Sequence, residues 1–356
     1  MKALITAGGK GTRLRPITHT RNKHLIPIAN KPILHYALEY VAEAGIREVG
    51  IIVNADTNDV QAALGTGEAF GLRITYIPQT APLGLAHCVK ISQKFIGDEP
   101  FVFYLGDNMV VGGIKRFQEE FLARKSNCHL TLARVKDPER FGVPEIDGSR
   151  IVTIEEKPKA PKSRYAVSGI YFYDSSIFEA VNNIRPSARG ELEISDAHQY
   201  LLDHNRTVTF SEITGWWKDT GLPDDLLEAN RLILDHMEPV DAADVSVDAN
   251  SNLVGKVQLA PGVKIINSNI RGPVIIGENT VIEDSYVGPY TSIYNGCHIR
   301  GSEVEFSIVL ADCQIKDIGI RIEGSLLGCD SILTHARSKP RTHRFILGDQ
   351  GMIEIA

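Results

Sequence analysis

The sequence has no long apolar run; nothing in it approaches the roughly 18 consecutive residues a helix needs to cross a bilayer. Its start, Met1-Lys2-Ala3-Leu4, passes at once into strand-like sequence and has too short an apolar segment for a secretion signal. No membrane partner is expected, and a cytoplasmic location is. Cysteine is sparse: Cys88, Cys128, Cys297, Cys313 and Cys329 are scattered with no CxxC pair, which speaks against a zinc site or a disulfide framework. Cys88 falls in an apolar helical pattern and reads as a core residue. A basic excess is missing too. The 38 lysines and arginines are outnumbered by 44 acids, for a net charge of −6, so nucleic acid is not an expected partner.

What is present is ordinary for a globular protein, 43% hydrophobic and 23% charged. At 356 residues the chain is too long for one ordinary core and about right for two domains. Up to about residue 235, strand-length apolar runs (3–6, 49–53, 74–77, 101–105 and 130–135) alternate with amphipathic stretches such as 32–44, 85–95 and 114–125. Strand-helix alternation predicts a mostly parallel sheet covered on both faces, an α/β fold. Ligands of such sheets bind beyond the C-terminal strand ends.

From about Val240 the texture changes. Ile270, Ile276 and Ile282 are six apart, and after a five-residue step to Val287 the sixes resume at Ile293 and Ile299. One inward aliphatic residue every six predicts a left-handed parallel β-helix, each repeat forming one face of a triangular coil. The spacing is ragged after Glu303, so few coils and a less regular end are expected. The domains expected are 1–239, a small-residue linker at 240–252, and a β-helix at 253–356.

The chemistry concentrates in "TAGGKGTRLRPITHTRNKHLIPIANKP", residues 6–32, which carries six basic side chains. In a net acidic chain this calls for a local anion. Gly8, Gly9 and Gly11 after a first strand let backbone N–H groups approach phosphates without Cβ interference. The spacing G-G-x-G matches neither the dinucleotide fingerprint nor the Walker loop. Arg13 and Lys23 are two cations flanking this nest, which suits a polyphosphate whose charge grows during reaction. Asp107, in "VFYLGDN", ends an apolar strand; Asp219, in "WWKDTG", lies at another strand-to-loop transition. Carboxylates there, facing a triphosphate, suit Mg²⁺, which usually takes one or two carboxylates plus phosphate oxygens. Gln79 offers both a donor and an acceptor, fitting the imide edge of thymine or uracil.

The residues Gly8, Gly9, Gly11, Thr12, Arg13, Leu14, Pro16, Thr18, Lys23, Leu25, Pro27, Lys31 and Pro32 match the signature of the sugar-1-phosphate nucleotidylyltransferases, and the chain resembles that family along its whole length. The resemblance implies a Rossmann-like nucleotidyltransferase fold in the first domain. It implies that Gly8, Gly9, Gly11 and Thr12 hold nucleotide phosphates, that Arg13 and Lys23 are catalytic with Asp107, and that Asp107 and Asp219 hold the metal. Gln79 and Gly84 would clamp a pyrimidine. Gly142, Glu156, Lys157, Val167 and Arg189 would hold the sugar phosphate, while Glu191 and Glu193 are read as structural. The implied reaction joins dTTP and α-D-glucose 1-phosphate into dTDP-glucose and pyrophosphate, with Mg²⁺ as cofactor. A UTP-dependent enzyme acting on glucose or N-acetylglucosamine 1-phosphate is the first alternative, and a non-catalytic subunit on the same fold the second. A homo-oligomer is expected, with the β-helix in an assembly role.

Overall fold

The β-branched and aromatic runs pair into one seven-stranded sheet in the computed structural model, which describes residues 1–240, 243–335 and 343–355. Small parts of the expected linker (241–242) and β-helix (336–342 and 356) lie outside the described residues. Across the sheet the order is Val208–Glu212, Cys128–Arg134, Tyr165–Tyr173, Phe101–Leu105, Lys2–Thr6, Glu48–Asn54 and Arg73–Gln79. Only Tyr165–Tyr173 runs antiparallel to its neighbours; the remaining pairs are parallel, as strand-helix alternation requires. Two apolar layers cover the faces. One gathers Ile5, Leu38, Val41, Ile51 and Phe117; the other gathers Leu4, Val89, Phe103, Leu130 and Leu201. Alternate residues Leu4 and Ile5 thus enter opposite cores, the period-two logic of a strand buried on both sides.

The strands Lys2–Thr6, Glu48–Asn54, Arg73–Gln79 and Phe101–Leu105 finish at the same edge of the sheet because their pairing is parallel and in register, Thr6 lying between Ile52 and Leu105. Two short additions complete that edge. Trp217–Asp219 pairs antiparallel with Asn108–Val110, setting Asp219 opposite Asn108 and Trp217 opposite Val110. Gly142–Asp147 pairs with Arg150–Glu156 as a separate ribbon.

Packing divides the chain into two units that do not follow chain order. One holds residues 1–10, 22–25 and 33–219; the other holds 11–21, 26–32 and 220 onward. The helix Pro223–Asp235, placed by the sequence reading in the first domain, lies in the second unit. Its anchor is Asn230, fully buried. Asn230 Oδ1 accepts from the Ala29 N–H at 2.8 Å and from Ser292 Oγ at 2.5 Å, and its Nδ2 donates to the Tyr290 carbonyl at 3.0 Å. Ala29 and Asn30, both with positive φ, turn the small hairpin Pro27–Ile28/Lys31–Pro32, and Asn30 Nδ2 donates to the Ile293 carbonyl at 2.7 Å.

From Ser246 to Thr334 the second unit is the expected left-handed parallel β-helix. Three parallel sheets stack rung on rung, and Ile265 aligns with Ile282, Ile299, Ile315 and Leu333. Ile270, Ile276, Ile282, Val287, Ile293 and Ile299 are all fully buried in the coil. Pairing begins earlier than 253, at Ser246–Val247, within the stretch read as linker. It also continues through Ile332–Thr334 despite the ragged spacing, because Val304, Val309 and Ile315 still point inward at irregular steps.

Candidate active site

A cavity of about 400 Å³ opens at the strand ends of the first unit. Gly8, Gly9 and Lys10 follow the strand Lys2–Thr6 into its wall, and the Ala7 N–H is held by the Ile52 carbonyl at 2.7 Å. Gly8 is required by close approach, since a Cβ there would come 3.1 Å from the Asn54 nitrogen and 3.2 Å from the Val53 carbonyl carbon. Gly9 faces Lys23, whose Cε would lie 3.0 Å from a Cβ at that position.

Lys23 and Asp107 form an ion pair within this wall; their side chains are only 17% and 13% exposed. Burial alone would push the Asp107 carboxyl up, but the Lys23 cation, nearby His24 and the Lys23 hydrogen bond hold it down at about 2. It is a carboxylate at neutral pH. His24, 1% exposed, is driven to about 3 by burial and then by Lys23, against the pull of Asp107, so its ring is neutral. Its Nδ1 lies 2.8 Å from Asn22 Oδ1, and Asn22 Nδ2 donates to the Ala7 carbonyl at 3.0 Å. This strap ties the Lys23 turn to the end of the first strand.

Asp219 lines the same cavity as Asp107. The pairing of Asp219 with Asn108 sets Asp219 across from the residue that follows Asp107, and both carboxylates line the cavity. Asn108 is buried; its Nδ2 donates to Asp107 Oδ1 at 3.0 Å, and its Oδ1 accepts from Trp217 Nε1 at 2.8 Å. Two carboxylates lining one cavity suit a hard divalent cation that draws its other ligands from phosphate and water.

On the opposite wall stand Gln79, Thr80, Pro82, Gly84 and Leu85. Gln79 Nε2 donates to the Gly84 carbonyl at 3.4 Å and faces His87 Nδ1 at 3.1 Å. Gly84 has φ +96, and a Cβ on it would strike the Leu192 backbone. Glycine here lets the loop hydrogen-bond across to Leu192, through Leu83 O at 2.8 Å and Ala86 N at 3.1 Å. Cys88 reaches the cavity wall from the core, where it is 4% exposed, and burial pushes its thiol up to about 12. It is a core residue, as read from the sequence.

The residues expected on the sugar side form a second cluster. Glu156 accepts from Ser195 Oγ at 2.8 Å and lies 3.6 Å from Lys157 Nζ and 3.5 Å from Arg189 Nη2. Arg189 is also paired with Glu193 at 2.9 Å. A Cβ on Gly142 would meet Ser195 Oγ at 2.7 Å, Glu156 Oε2 at 3.4 Å and Val167 Cγ2 at 3.8 Å. Phe141 and Val167 line the cavity, so the Glu156 cluster adjoins it.

Gly11, Thr12 and Arg13 belong to the second unit. There Gly11 takes a left-handed conformation ahead of the single turn Thr12–Leu14, and Thr18 Oγ1 donates to its carbonyl at 2.7 Å. Arg13 is exposed. The sequence reading did not single out His24, Asn108, Trp217 or Ser195. Asn108 directly follows Asp107, and Trp217 shares a strand face with Asp219, so adjacency to the chosen carboxylates was the available signal. Glu191, read as structural, lines the cavity.

A Rossmann-like sheet with a glycine turn, a lysine–aspartate ion pair and a second aspartate beyond its strand ends has the layout of an α/β protein that takes its ligand at that edge. Residues 2–236 match the model of the nucleotidyl transferase family, and the chain belongs to that family. It is 49% identical over 357 residues to a glucose-1-phosphate thymidylyltransferase of Streptomyces griseus, with all of both chains covered. The likeness to the Streptomyces antibioticus enzyme of the same name is also 49%, covering 100% of this chain and 99% of that one. A Bacillus anthracis structure assigned as a glucose-1-phosphate thymidylyltransferase, solved with sucrose, superposes with a TM-score of 0.63 at 41% identity, covering 68% of this chain and 98% of that one.

Proposed function

We propose that this chain is a glucose-1-phosphate thymidylyltransferase, transferring the thymidylyl group of dTTP to α-D-glucose 1-phosphate with release of pyrophosphate. The observation that carries this reading is the end-to-end 49% likeness to relatives of that name. A phosphate oxygen of the sugar phosphate attacks the α-phosphorus in line, and the bond to the β-phosphate oxygen breaks. The nucleophile is already an anion, so no general base is needed. The buried, neutral His24 suits that requirement, since it neither adds charge nor competes for the phosphates.

Catalysis is then positioning and charge neutralisation. Gly8 and Gly9 present backbone N–H groups to the nucleotide phosphates, joined by Gly11 and Thr12, and Lys23 and Arg13 balance the charge that builds on pyrophosphate. Lys157 and Arg189 take the sugar phosphate, Glu156 accepts sugar hydroxyls, and Gly142 and Val167 leave the sugar room against backbone. Gln79 and Gly84 read the pyrimidine. Asp107 and Asp219 would hold Mg²⁺, which when bound neutralises phosphate charge.

We assign the chemistry to residues 1–239 and an assembly role in a homo-oligomer to the β-helix, 253–356, beyond the 240–252 linker. A cytoplasmic setting accords with five cysteines that are all free. Among the described residues no helix is long and apolar enough to cross a membrane. The test is a panel of dTTP, UTP, GTP and ATP against glucose, N-acetylglucosamine and mannose 1-phosphates, read by pyrophosphate release. Turnover highest with dTTP and glucose 1-phosphate is expected. Thymine and uracil differ by one methyl group, a weak basis for discrimination, so UTP is the telling competitor. Faster turnover with UTP would replace this assignment with a uridylyltransferase.

A further inference from the structure

We propose that Trp217 is a positioning residue for the Asp107–Asp219 carboxylate pair, acting through the side-chain amide of Asn108. The inference rests on the reading of that pair as the divalent-cation site. The indole N–H donates to Asn108 Oδ1 at 2.8 Å, and this donor decides which way the amide faces. Turned over, the amide NH₂ would meet the indole N–H, and its oxygen would meet Asp107 Oδ1. In the orientation held by Trp217, Asn108 Nδ2 donates to Asp107 Oδ1 at 3.0 Å, while Lys23 pairs with Oδ2. Each oxygen of Asp107 therefore has its own donor, and the plane of the carboxylate is set.

Asn108 is packed in, and Trp217 is held at its N–H and against one neighbouring ring. Asn108 is 3% exposed, and a Cβ on Gly169 would lie 3.1 Å from its Cγ and Nδ2. The indole N–H is shared with the Ser168 carbonyl at 2.8 Å, and the ring meets Phe141 edge-on with centroids 5.4 Å apart. Trp217 and Asp219 are two apart on one strand, so their side chains share a face. That strand pairs with Asn108–Val110. The side-chain hydrogen bond from Trp217 to Asn108, added to the backbone pairing, thus links the strand that carries Asp219 to the carboxylate of Asp107. Partners that orient metal ligands typically govern about 10–100-fold of metal affinity, and the effect of Trp217 belongs in that range.

The test is Mn²⁺ binding by full-length protein in the presence of dTTP, followed by the electron paramagnetic resonance signal of free Mn²⁺, for wild type, Trp217→Phe, Asn108→Ala and the double variant. Phenylalanine keeps an apolar ring against Phe141 and removes only the donor. About tenfold weaker binding is expected for Trp217→Phe. The loss should disappear when Asn108 is already alanine, because both changes break the same relay. Binding by Trp217→Phe equal to wild type overturns the proposal, as does a double variant whose loss is the product of the two single losses. Absence of Mn²⁺ binding by wild type would instead remove the cation-site reading, and this inference with it.

Discussion

Replacing Asp107 with asparagine removes a charge from a pair whose members are both mostly buried, and the size of the effect can be worked from the pair itself. The carboxyl is held at about 2 against an ordinary 3.8. One pKa unit is 1.36 kcal/mol, so the ionised form is worth about 2 kcal/mol of stability. Breaking a fully buried pair by deleting one partner costs about 3–5 kcal/mol, and the residual exposure of this pair accounts for the smaller figure. At roughly 2–4 °C per kcal/mol for a unit of this size, Asp107→Asn should melt about 4–8 °C below wild type. Because the folded pKa is depressed, this stability is fully present above pH 3.8 and lost only as pH falls through about 2. The gap should therefore be constant between pH 8 and 5. Lys23→Met should lose a similar amount, since it strands the carboxylate. The double variant should recover more than half of either loss, because no unpaired charge stays behind. Turnover should fall by roughly 100-fold or more in all three. Scanning calorimetry gives the midpoints and pyrophosphate release the rates. Asp107→Asn melting with wild type, or a double variant losing the sum of the singles, would refute the reasoning.

Lys157→Ala should raise KM for glucose 1-phosphate more than for dTTP, since its lysine stands with Glu156 and Arg189; steady-state kinetics showing equal losses would reassign it to general electrostatics. Gln79→Glu should weaken dTTP and UTP together, because a carboxylate at neutral pH cannot donate and would also face the Gly84 carbonyl; calorimetric titration with both nucleotides checks this, and unchanged affinity would place base recognition elsewhere. His24 and His198 are held at about 3 and His129 at about 4, all chiefly by burial. Their folded pKa values lie below the unfolded 6.5, so stability is lost as pH falls from 6.5 toward those values. At pH 5 each costs up to about 2 kcal/mol of stability, and a thermal midpoint unchanged between pH 7 and 5 would contradict their burial as neutral rings. Asn230→Leu strands the Ala29 N–H and the Tyr290 carbonyl, and should cost about 2–4 kcal/mol by denaturant titration.

Much of the fold was written in local pattern. The runs at 101–105 and 49–53 alternate into two cores, and the sixfold aliphatic spacing from Ile270 places each residue inside a coil. The packing of the helix Pro223–Asp235 was not legible, because periodicity reveals an apolar face without revealing what covers it. Asn230, a polar residue in an amphipathic helix, decides the matter through partners about 60 and 200 positions away. The ragged spacing after Glu303 hid coils whose turns differ in length while their strands still align. In the candidate site, Gly8, Asp107 and Asp219 were visible as residue types at strand ends, and Lys23 as a cation flanking the glycine loop. Trp217 and Asn108 were not, since their hydrogen bond spans 109 positions and depends on strand register, which no local window encodes.

The mingling of early and late segments in the second unit has a bearing on synthesis. Leu14, Ile26 and Ile28 are buried in the finished protein, and their unit is completed by residues from 220 onward. A ribosome moving at about 5–20 residues per second leaves roughly 10–40 s between making residue 32 and residue 220. Through that interval the nascent chain carries residues 11–21 and 26–32 without the rest of their unit. A message cut short after the seven-stranded sheet should yield an apolar, unfinished loop that invites chaperones or proteases. The early segment thus waits for the late one before its unit is whole.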